Sequence, residues 1–542
     1  MARTSLVFVS TLLIAAALAA EPIVTTQYGK VSGTMDQGVY AFRGIPFASP
    51  PVGSLRFQKT QEVSAWSGVI NGSNFAPGCM AVCSDTAFPV PGLMCTPTTS
   101  EDCLYLNVFT PNLEATANLP VLIFIHGGNY IGGSGGVPLY DGSDLARTQN
   151  IVVVTINYRL GVFGALYTGT VQGNFHVTDQ RESMKFVQKV ISNFGGNPNK
   201  VTISGQSAGA FSVATHLASP KSWPYFQGAV IFSDPFALLA ETPERAITVG
   251  EKLLTNLNCS ENGGQSELQC LQSVSAEELL WQQVNGSVNF NAITNGFLSV
   301  MMPWVPVVDG DELPYHPLVA LTTDRFNKVP VMFGTVANES VEFIYDIESA
   351  PLSALEVYVL ASVVFGEQNM KPIIELYGAP PAEGDCHHYL EIIATDYIFY
   401  CPNRFVGSQL TKTTPTYMYF FDQLASYSSW VYNKSMPYCN DAICHADDLP
   451  FYFNPFNAPL PPGLNPPQPT AEELVLTATM QKALGNFVSG GNPNPLPNHL
   501  EWPRFNGSVN ALMNYSTPSS SILTGYRDKY CNFWDSIGYN RY

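Results

Sequence analysis

Lys200-Val201-Thr202-Ile203-Ser204-Gly205-Gln206-Ser207-Ala208-Gly209-Ala210 is the stretch of this 542-residue sequence that decides the fold. The run that ends in Ile203 is typical of a buried strand, and residues 208–219 have the pattern of a helix. The G-x-S-x-G pattern between them predicts a sharp turn that raises the Ser207 hydroxyl above the end of a sheet. Glycines flank the serine because such a turn brings backbone against backbone. We predict a nucleophilic serine, with a buried structural serine as the alternative.

A second copy of the pattern is Gly132-Gly133-Ser134-Gly135-Gly136. No helical pattern follows it, so its context differs from the strand and helix that the motif requires. We therefore expect Ser134 to be a flexible surface hydroxyl without a catalytic role.

The segments around Ser207 alternate between strand-like and helix-like patterns. Apolar runs at residues 119–125, 151–157 and 228–232 are typical of parallel strands buried on both faces. Further strands are predicted at 329–333 and 417–421, and helices at 179–194 and 471–488, with a mainly helical stretch at 242–302. This order predicts a doubly wound α/β sheet. Because no segment has the composition of a linker, we expect residues 21–542 to form a single domain.

The first twenty residues have the pattern of a secretory signal peptide: Arg3, an apolar run at residues 6–18, and Ala19-Ala20. The run is shorter than the roughly 20 apolar residues that a membrane span needs. No other stretch is apolar enough to span a membrane. We therefore expect a protein of the secretory pathway, either extracellular or in the lumen of secretory or storage vesicles.

Composition fits that compartment and limits the partners. Eleven cysteines suit an oxidising environment, and their odd number leaves at least one thiol unpaired. A formal charge of −18 argues against nucleic acid and anionic membranes as partners. Glycosylation sequons occur at Asn71, Asn258, Asn285, Asn433, Asn506 and Asn514. We discount a further sequon at Asn338, because that residue abuts the predicted catalytic acid inside the fold.

An oxyanion-binding loop is predicted where the strand at residues 119–125 ends in His126-Gly127-Gly128-Asn129. Consecutive glycines after a strand allow two amides to point at one spot, and the amide of Ala208 can join them. A plain glycine turn is the alternative. His126 precedes Ser207, which is the wrong order for a general base in this fold, so we interpret it as a structural hydrogen-bonding residue.

The chain order serine, acid, histidine limits the candidates for the remaining catalytic residues. Glu339 lies just beyond the strand predicted at residues 329–333, and Glu342 is the competing acid. His445 lies in a loop that a disulfide between Cys439 and Cys444 could hold in place. The histidines that compete with it are His387 and His388, which look like a solvated helix start, and His499, which lies in a loop rich in proline and asparagine.

The chain resembles the type-B carboxylesterases, a family of carboxylesterases, cholinesterases and fungal lipases. The resemblance covers essentially all of the mature sequence. The segments that carry it are residues 43–57, Glu101-Asp102-Cys103-Leu104-Tyr105-Leu106-Asn107-Val108, His126-Gly127-Gly128, Asn157-Tyr158-Arg159-Leu160-Gly161, Phe194-Gly195-Gly196-Asn197-Pro198, the serine motif, Val305-Pro306-Val307-Val308-Asp309-Gly310, and the segments around Glu339 and His445.

The resemblance implies an α/β-hydrolase fold, with a central, mostly parallel sheet, helices on both faces and long helical insertions. It also implies a catalytic triad of Ser207, Glu339 and His445. The implied disulfides are Cys79–Cys103, Cys259–Cys270 and Cys401–Cys531, and the implied structural ion pairs are Arg43–Glu101 and Arg159–Asp179. By remainder and proximity we predict the pairs Cys83–Cys95 and Cys439–Cys444, with Cys386 free.

Two departures from the family bear on the substrate. Gln206 stands where cholinesterases carry a glutamate, and the loop from Cys79 to Cys103 contains no tryptophan to hold a quaternary ammonium. We therefore expect hydrolysis of uncharged carboxylic esters, whether small molecules or lipids, without a metal or an organic cofactor. The alternatives are a lipase or sterol esterase, and a non-catalytic binding or storage protein on the same scaffold.

Overall fold

The structure is a computed structural model. It describes residues 21–82, 96–238, 240–260, 266–283, 304–432, 435–457, 460 and 465–539. The predicted signal peptide, the Cys83–Cys95 pair and the sequons at Asn285 and Asn433 lie outside the described residues.

One large sheet forms the centre of the described chain. The strands are β1 (Ile23–Thr25), β2 (Lys30–Ser32), β3 (Thr34–Asp36), β4 (Val39–Pro46), β5 (Val69–Asn71), β6 (Gly78–Cys79), β7 (Thr99–Ser100), β8 (Tyr105–Thr110), β9 (Leu119–Ile125), β10 (Val152–Ile156), β11 (Gly196–Gln206), β12 (Gly228–Phe232), β13 (Val331–Val336), β14 (Thr416–Phe421), β15 (Ala511–Tyr515) and β16 (Ser521–Thr524). Eleven of them form the sheet, in the order β16-β15-β14-β13-β12-β11-β9-β10-β8-β4-β3.

The central strands β15, β14, β13, β12, β11, β9 and β10 run parallel to one another. At the two edges, β16 on one side and β8, β4 and β3 on the other are antiparallel to their neighbours. The carboxyl ends of the parallel strands therefore meet at one edge of the sheet, where catalytic groups of open α/β sheets gather.

Helices connect the strands and cover the sheet. The α-helices of the described residues are α1 (Ser143–Gln149), α2 (Gly161–Ala165), α3 (Phe175–Val190), α4 (Ala208–Ala218), α5 (Pro243–Asn256), α6 (Glu267–Ser273), α7 (Ala276–Trp281), α8 (Pro317–Thr322), α9 (Val341–Ile347), α10 (Ala354–Phe365), α11 (Glu367–Tyr377), α12 (His387–Ala394), α13 (Cys401–Leu410), α14 (Ser428–Tyr432), α15 (Leu449–Phe453), α16 (Ala471–Gly490) and α17 (Asp528–Ile537). None of these helices is both long and apolar enough to cross a bilayer.

The sheet is buried on both faces because its strands are apolar at successive positions. On β9, Ile123 and Ile125 belong to one buried layer, whereas Leu122 and Phe124 belong to the layer on the opposite face. The two layers remove the apolar runs from water, which is the main favourable term in folding. The predicted α/β fold is confirmed, and β9 and β12 have the predicted bounds.

Four disulfides join described residues, namely Cys79–Cys103, Cys259–Cys270, Cys401–Cys531 and Cys439–Cys444. Cys386 is a buried free thiol. Among the sequons, Asn71, Asn258 and Asn506 are exposed, but Asn514 is buried on β15, which is incompatible with a glycan there.

One of the two implied ion pairs is wrong. Arg159 pairs with Asp179 at 2.8 Å, as implied. Arg43 instead pairs with Asp141 at 3.1 Å, and Glu101 receives two 2.6 Å hydrogen bonds from Arg56. The cause is the face of the sheet on which each group lies. The Arg43 guanidinium stacks on Phe109, in one core layer, whereas Cys103, two residues from Glu101, belongs to the other.

Candidate active site

Ser207 occupies the sharp turn between β11 and α4. Its backbone has φ +58° and ψ −122°, a conformation that L-residues rarely adopt and that is typical of functional turns. The flanking glycines are required by close approach. A Cβ at Gly205 would lie 2.2 Å from the carbonyl oxygen of Gly209, and a Cβ at Gly209 would lie 2.0 Å from that of Ile125. The turn thus presents Ser207 at the carboxyl edge of the sheet.

His445 and Glu339 form a buried pair at the same edge of the sheet. Nδ1 of His445 lies 2.5 Å from Oε2 of Glu339, and Glu339 is fully buried. The other carboxylate oxygen of Glu339 accepts a 2.8 Å hydrogen bond from the amide of Val336, at the end of β13. Both the carboxylate and the imidazole are therefore fixed by the strand end and the loop that carry them.

The second nitrogen of His445 remains available. Its Nε2 makes no hydrogen bond to any described residue, and the ring packs between Phe343 and Phe399, at centroid distances of 5.2 and 5.1 Å. These two phenylalanines and Ser207 line a small pocket, and both Ser207 and His445 line a cavity of about 390 Å³. In unliganded sites the hydrogen bond between nucleophile and base is often long, and it tightens when substrate binds.

The protonation of His445 reflects two opposing effects. Burial disfavours the charged imidazole, but the negative charge and hydrogen bond of Glu339 outweigh it, so the pKa of His445 is raised. A residue of this kind can accept a proton at neutral to alkaline pH and hold it against a carboxylate, which is what a general base requires.

Three free amides lie beside Ser207. The amides of Gly127, Gly128 and Ala208 donate no hydrogen bond to another described residue. Gly128 has φ +105°, and a Cβ at Gly127 would lie 3.0 Å from the Cβ of Ser207. Both glycines line the large cavity. Donors held in this way can bind an oxygen that becomes negatively charged during a reaction.

Gly127→Ala tests these amides. The added methyl group would lie 2.5 Å from Oε1 and 2.8 Å from the carbonyl oxygen of Gln206, so the loop must move. Displacing one oxyanion donor typically costs about 100-fold in kcat, and we expect a loss of that order for p-nitrophenyl butyrate. Gly169→Ala is the control, because nothing lies within 4 Å of its Cβ position. A kcat equal to that of the control would show that the Gly127 amide does not act on the oxyanion.

The structure separates the competing residues from this cluster. His126 is buried with Nδ1 2.7 Å from the carbonyl oxygen of Gly127, and burial lowers its pKa to about 4, in agreement with a structural role. His388 is exposed at the start of α12, as predicted. His387 is not solvated, because its ring is buried and bonded to Asp385 and to the carbonyl of Glu348.

The expectation for Ser134 is also wrong. The side chain is buried, donates a 2.9 Å hydrogen bond to Oδ1 of Asn157 and accepts one from the amide of Gly136. The glycines around it let the backbone pass close to β10, since a Cβ at Gly135 would lie 2.5 Å from the carbonyl oxygen of Ile156. Ser134 is a structural hydrogen-bonding residue and not a surface hydroxyl.

Sequence reasoning missed two kinds of residue in this site. Phe343 and Phe399, which hold the His445 ring, gave no signal of their own in apolar segments. Glu342 was predicted only as a competing acid or a surface charge, yet it is half-buried and lines the cavity together with Ser207. Its position three residues after Glu339, on the first turn of α9, could have indicated a common face.

The order of the strands is that of the α/β-hydrolase class of proteins. So is a serine turn that lines the same cavity as a buried histidine bonded to a carboxylate. Within that class, a family model described as "Carboxylesterase family" matches residues 20–534, and the chain belongs to that family. It is accordingly a carboxylic ester hydrolase.

Individual proteins are similar to this chain over most of its length. The human cocaine esterase is 35% identical over 546 residues, which cover 95% of this chain and 91% of that protein. The cAMP-regulated D2 protein of Dictyostelium discoideum is 34% identical over 523 residues, covering 95% and 93%. A solved structure of a PNB esterase superposes with a TM-score of 0.75 at 31% identity, over 94% of this chain and 99% of that one.

Proposed function

We propose that this hydrolase cleaves uncharged carboxylic esters through an acyl-enzyme on Ser207, with His445 as general base and Glu339 as its partner. The observation that carries the proposal is the buried Glu339–His445 bond at the edge of the cavity that Ser207 lines. Fixing Nδ1 against a carboxylate leaves Nε2 as the nitrogen that faces the substrate, which is the arrangement of serine hydrolases.

The reaction proceeds in two halves. Nε2 of His445 takes the proton from Ser207 while Oγ attacks the carbonyl carbon, and the C=O electron pair moves to the oxygen held by the three amides. As the intermediate collapses, the C–O bond to the alcohol breaks and His445 returns the proton to the leaving oxygen. Water then attacks the acyl-enzyme by the same route, releasing the acid and restoring Ser207. Each oxyanion donor contributes about 3 kcal/mol to the barrier reduction.

The charge of the cavity supports an uncharged substrate. The described lining contains no lysine or arginine that would bind an anion, and its acidic residues are Glu342, Asp346 and Asp447. Burial raises the pKa of Glu342 to about 7 and that of Asp447 to about 8, so much of this wall is neutral near neutral pH. No tryptophan of the described lining offers a face to a quaternary ammonium.

The same proposal places the enzyme in the secretory pathway, extracellular or in a vesicle lumen. It is supported by the signal pattern at residues 1–20, by the four disulfides, and by exposed sequons at Asn71, Asn258 and Asn506. Disulfides persist in oxidising compartments and are rare in the cytosol.

A lipase or sterol esterase acting on lipid esters is a second candidate, favoured by one observation. An apolar cavity lies among α9, α10 and α12, and Phe343 and Ile398 line both this cavity and the small pocket beside Ser207. These shared side chains place an apolar cavity next to the pocket that would hold the acyl chain. Rates on triolein emulsions relative to soluble short-chain esters separate the two candidates.

A fluorophosphonate probe tests whether the site is catalytic. Oγ of an activated serine attacks the phosphorus of such a probe and expels fluoride, leaving a phosphonate ester. We expect one label on Ser207, located by mass spectrometry of the peptide that contains it. Ser207→Ala is the control and should take up no label. A folded wild-type protein that stays unlabelled would favour the non-catalytic binding or storage protein.

The pH profile tests the role of His445. Only the neutral imidazole accepts the serine proton, so kcat/KM should fall about tenfold per pH unit below the pKa of His445. Because Glu339 raises that pKa, the midpoint is expected above the ordinary value of about 6.5. Glu342 and Asp448 also raise it. A midpoint well below 6 for p-nitrophenyl butyrate would contradict the assignment.

A further inference from the structure

Two hydrogen bonds join the turn that carries Glu339 to the loop that carries His445. The amide of Asn338 donates to the carbonyl oxygen of Ile443 at 3.0 Å, and the amide of Ile443 donates to Oδ1 of Asn338 at 3.1 Å. Asn338 immediately precedes the acid, and Ile443 lies two residues before the histidine. This reciprocal pair therefore connects the two segments next to the place where the carboxylate meets the imidazole.

The loop of the histidine is shaped by its own residues. Cys444 forms a disulfide with Cys439, and its amide donates a 2.8 Å hydrogen bond to Oδ2 of Asp447. Among the contacts that place this loop against the turn of the acid, Val341 belongs to the same buried cluster as the disulfide, and Asn338 makes the reciprocal pair. Apolar packing is non-directional, whereas hydrogen bonds fix distance and orientation. The Asn338 pair is therefore a contact that can set the alignment of the two segments.

The turn of the acid is anchored on its far side. The amide of Ser340 donates a 3.1 Å hydrogen bond to Oγ1 of Thr395, whose hydroxyl donates at 2.9 Å to Oε1 of the buried Glu391. Burial raises the pKa of Glu391 to about 7, whereas its interactions with the side chains of Thr395 and Asn338 act to lower it. An asparagine side chain has both an acceptor and a donor, which suits a position between a backbone N–H and a carboxylate.

We infer that Asn338 is a positioning residue that keeps the His445 imidazole aligned with Glu339. The inference rests on the proposed function, because it concerns the pair that would activate Ser207. Asn338 does not belong to the described lining of either cavity beside Ser207. It therefore acts through the pair and not on the substrate.

Asn338→Ala removes the side-chain half of the connection and leaves the backbone bond in place. The kcat for p-nitrophenyl butyrate is expected to fall at least about tenfold, because a displacement of about 1 Å in an active site can cost about 100-fold. KM should be unchanged. With a looser contact to Glu339, burial lowers the pKa of His445, so the midpoint of the pH profile of kcat/KM should move to lower pH.

Two variants of the same turn are the controls. Asn338→Asp keeps the acceptor for Ile443, and a protonated Glu391 can donate to the new carboxylate, so most of the lost kcat should be recovered near neutral pH. Ser340→Ala removes a hydroxyl that has no hydrogen-bond partner among the described residues, so the wild-type kcat and midpoint are expected. It also destroys the sequon at Asn338, which separates loss of a glycan from loss of the connection.

A wild-type kcat and an unshifted midpoint in Asn338→Ala would overturn the inference, because the backbone bond would then be sufficient. So would a loss that Asn338→Asp does not recover, or one that Ser340→Ala shares. If circular dichroism shows that Asn338→Ala does not fold, Asn338→Gln replaces it. That variant keeps an amide but moves it by one methylene, and the same fall in kcat and in midpoint is expected.

The wild-type enzyme distinguishes a failure of this inference from a failure of the proposed function. If the wild type hydrolyses p-nitrophenyl butyrate and takes up the fluorophosphonate label, but Asn338→Ala behaves as the wild type does, only the positioning role fails. If the wild type does neither, the proposed function itself fails, and the inference with it.

Discussion

Ser207→Ala is expected to lower kcat for p-nitrophenyl butyrate by about 10⁶-fold, because removing the nucleophile of a serine hydrolase leaves only binding and oxyanion stabilisation. The substitution removes one oxygen from a half-buried side chain and leaves the backbone turn in place. Folding should therefore be preserved, and the loss should lie in kcat and not in the amount of folded protein. The measurement is steady-state hydrolysis with purified protein, with circular dichroism to verify the fold.

Ser134→Ala is the matched control for this loss, because Ser134 occupies the second G-x-S-x-G pattern. Its hydroxyl bonds to Asn157 and it does not belong to the described cavity lining, so removing it should cost stability and little activity. A hydrogen bond of this kind contributes about 1 kcal/mol. If Ser134→Ala lost as much activity as Ser207→Ala, or if Ser207→Ala kept full activity, the nucleophile assignment would be wrong.

The fold was predictable from sequence because several central strands are almost continuous apolar runs. Runs of this length, such as Leu119–Ile125 and Gly228–Phe232, are typical of buried strands when polar or turn residues bound them. Helix ends were less certain. The helix predicted at 179–194 covers Phe175–Val190, because Asn174 is fixed by hydrogen bonds to Val307 and Asp309, more than a hundred residues away.

The parts of the site that the sequence missed depend on which face of an element a side chain occupies. Arg43 and Arg56 lie in the same N-terminal segment, and the sequence alone does not show which of them pairs with Glu101. Glu101 pairs with Arg56 because Arg43 lies against the opposite core layer. The burial of Ser134 and His387 likewise arises from partners distant in sequence, Asn157 and the carbonyl of Glu348. The order of the motifs predicts that Ser207, Glu339 and His445 meet at one edge of the sheet. It does not predict which hydrogen bonds the surrounding side chains make.

Glu342 illustrates the same limit. Two carboxylates three residues apart were both candidates for the acid, and spacing alone could not choose between them. In the structure, Glu339 is held by the amide of Val336 and bonds to His445, whereas Glu342 lines the cavity and bonds to no described residue. A single turn of backbone therefore separates the carboxylate that bonds to His445 from the one that lines the cavity.

Glu339→Gln is expected to lower kcat for p-nitrophenyl butyrate by about 10⁴-fold, the loss typical of replacing the triad carboxylate by its amide. The variant keeps the volume and the hydrogen bond from Val336. It removes the charge that stabilises protonated His445, and its NH₂ group can impose the wrong tautomer on Nδ1. Once Glu339 no longer opposes it, burial lowers the pKa of His445, so the pH midpoint of the residual activity should move to lower pH.

The direction of that shift separates an electrostatic partner of His445 from a residue that only supports the fold, because loss of folded enzyme lowers the rate without moving the midpoint. Glu342→Gln gives the comparison within the same turn of chain. Glu342 lines the cavity, whereas the partner of Nδ1 of His445 is Glu339. The loss in kcat for Glu342→Gln should therefore be far smaller than that for Glu339→Gln. A larger loss for Glu342→Gln, together with an unshifted pH midpoint in Glu339→Gln, would reverse the assignment of the acid.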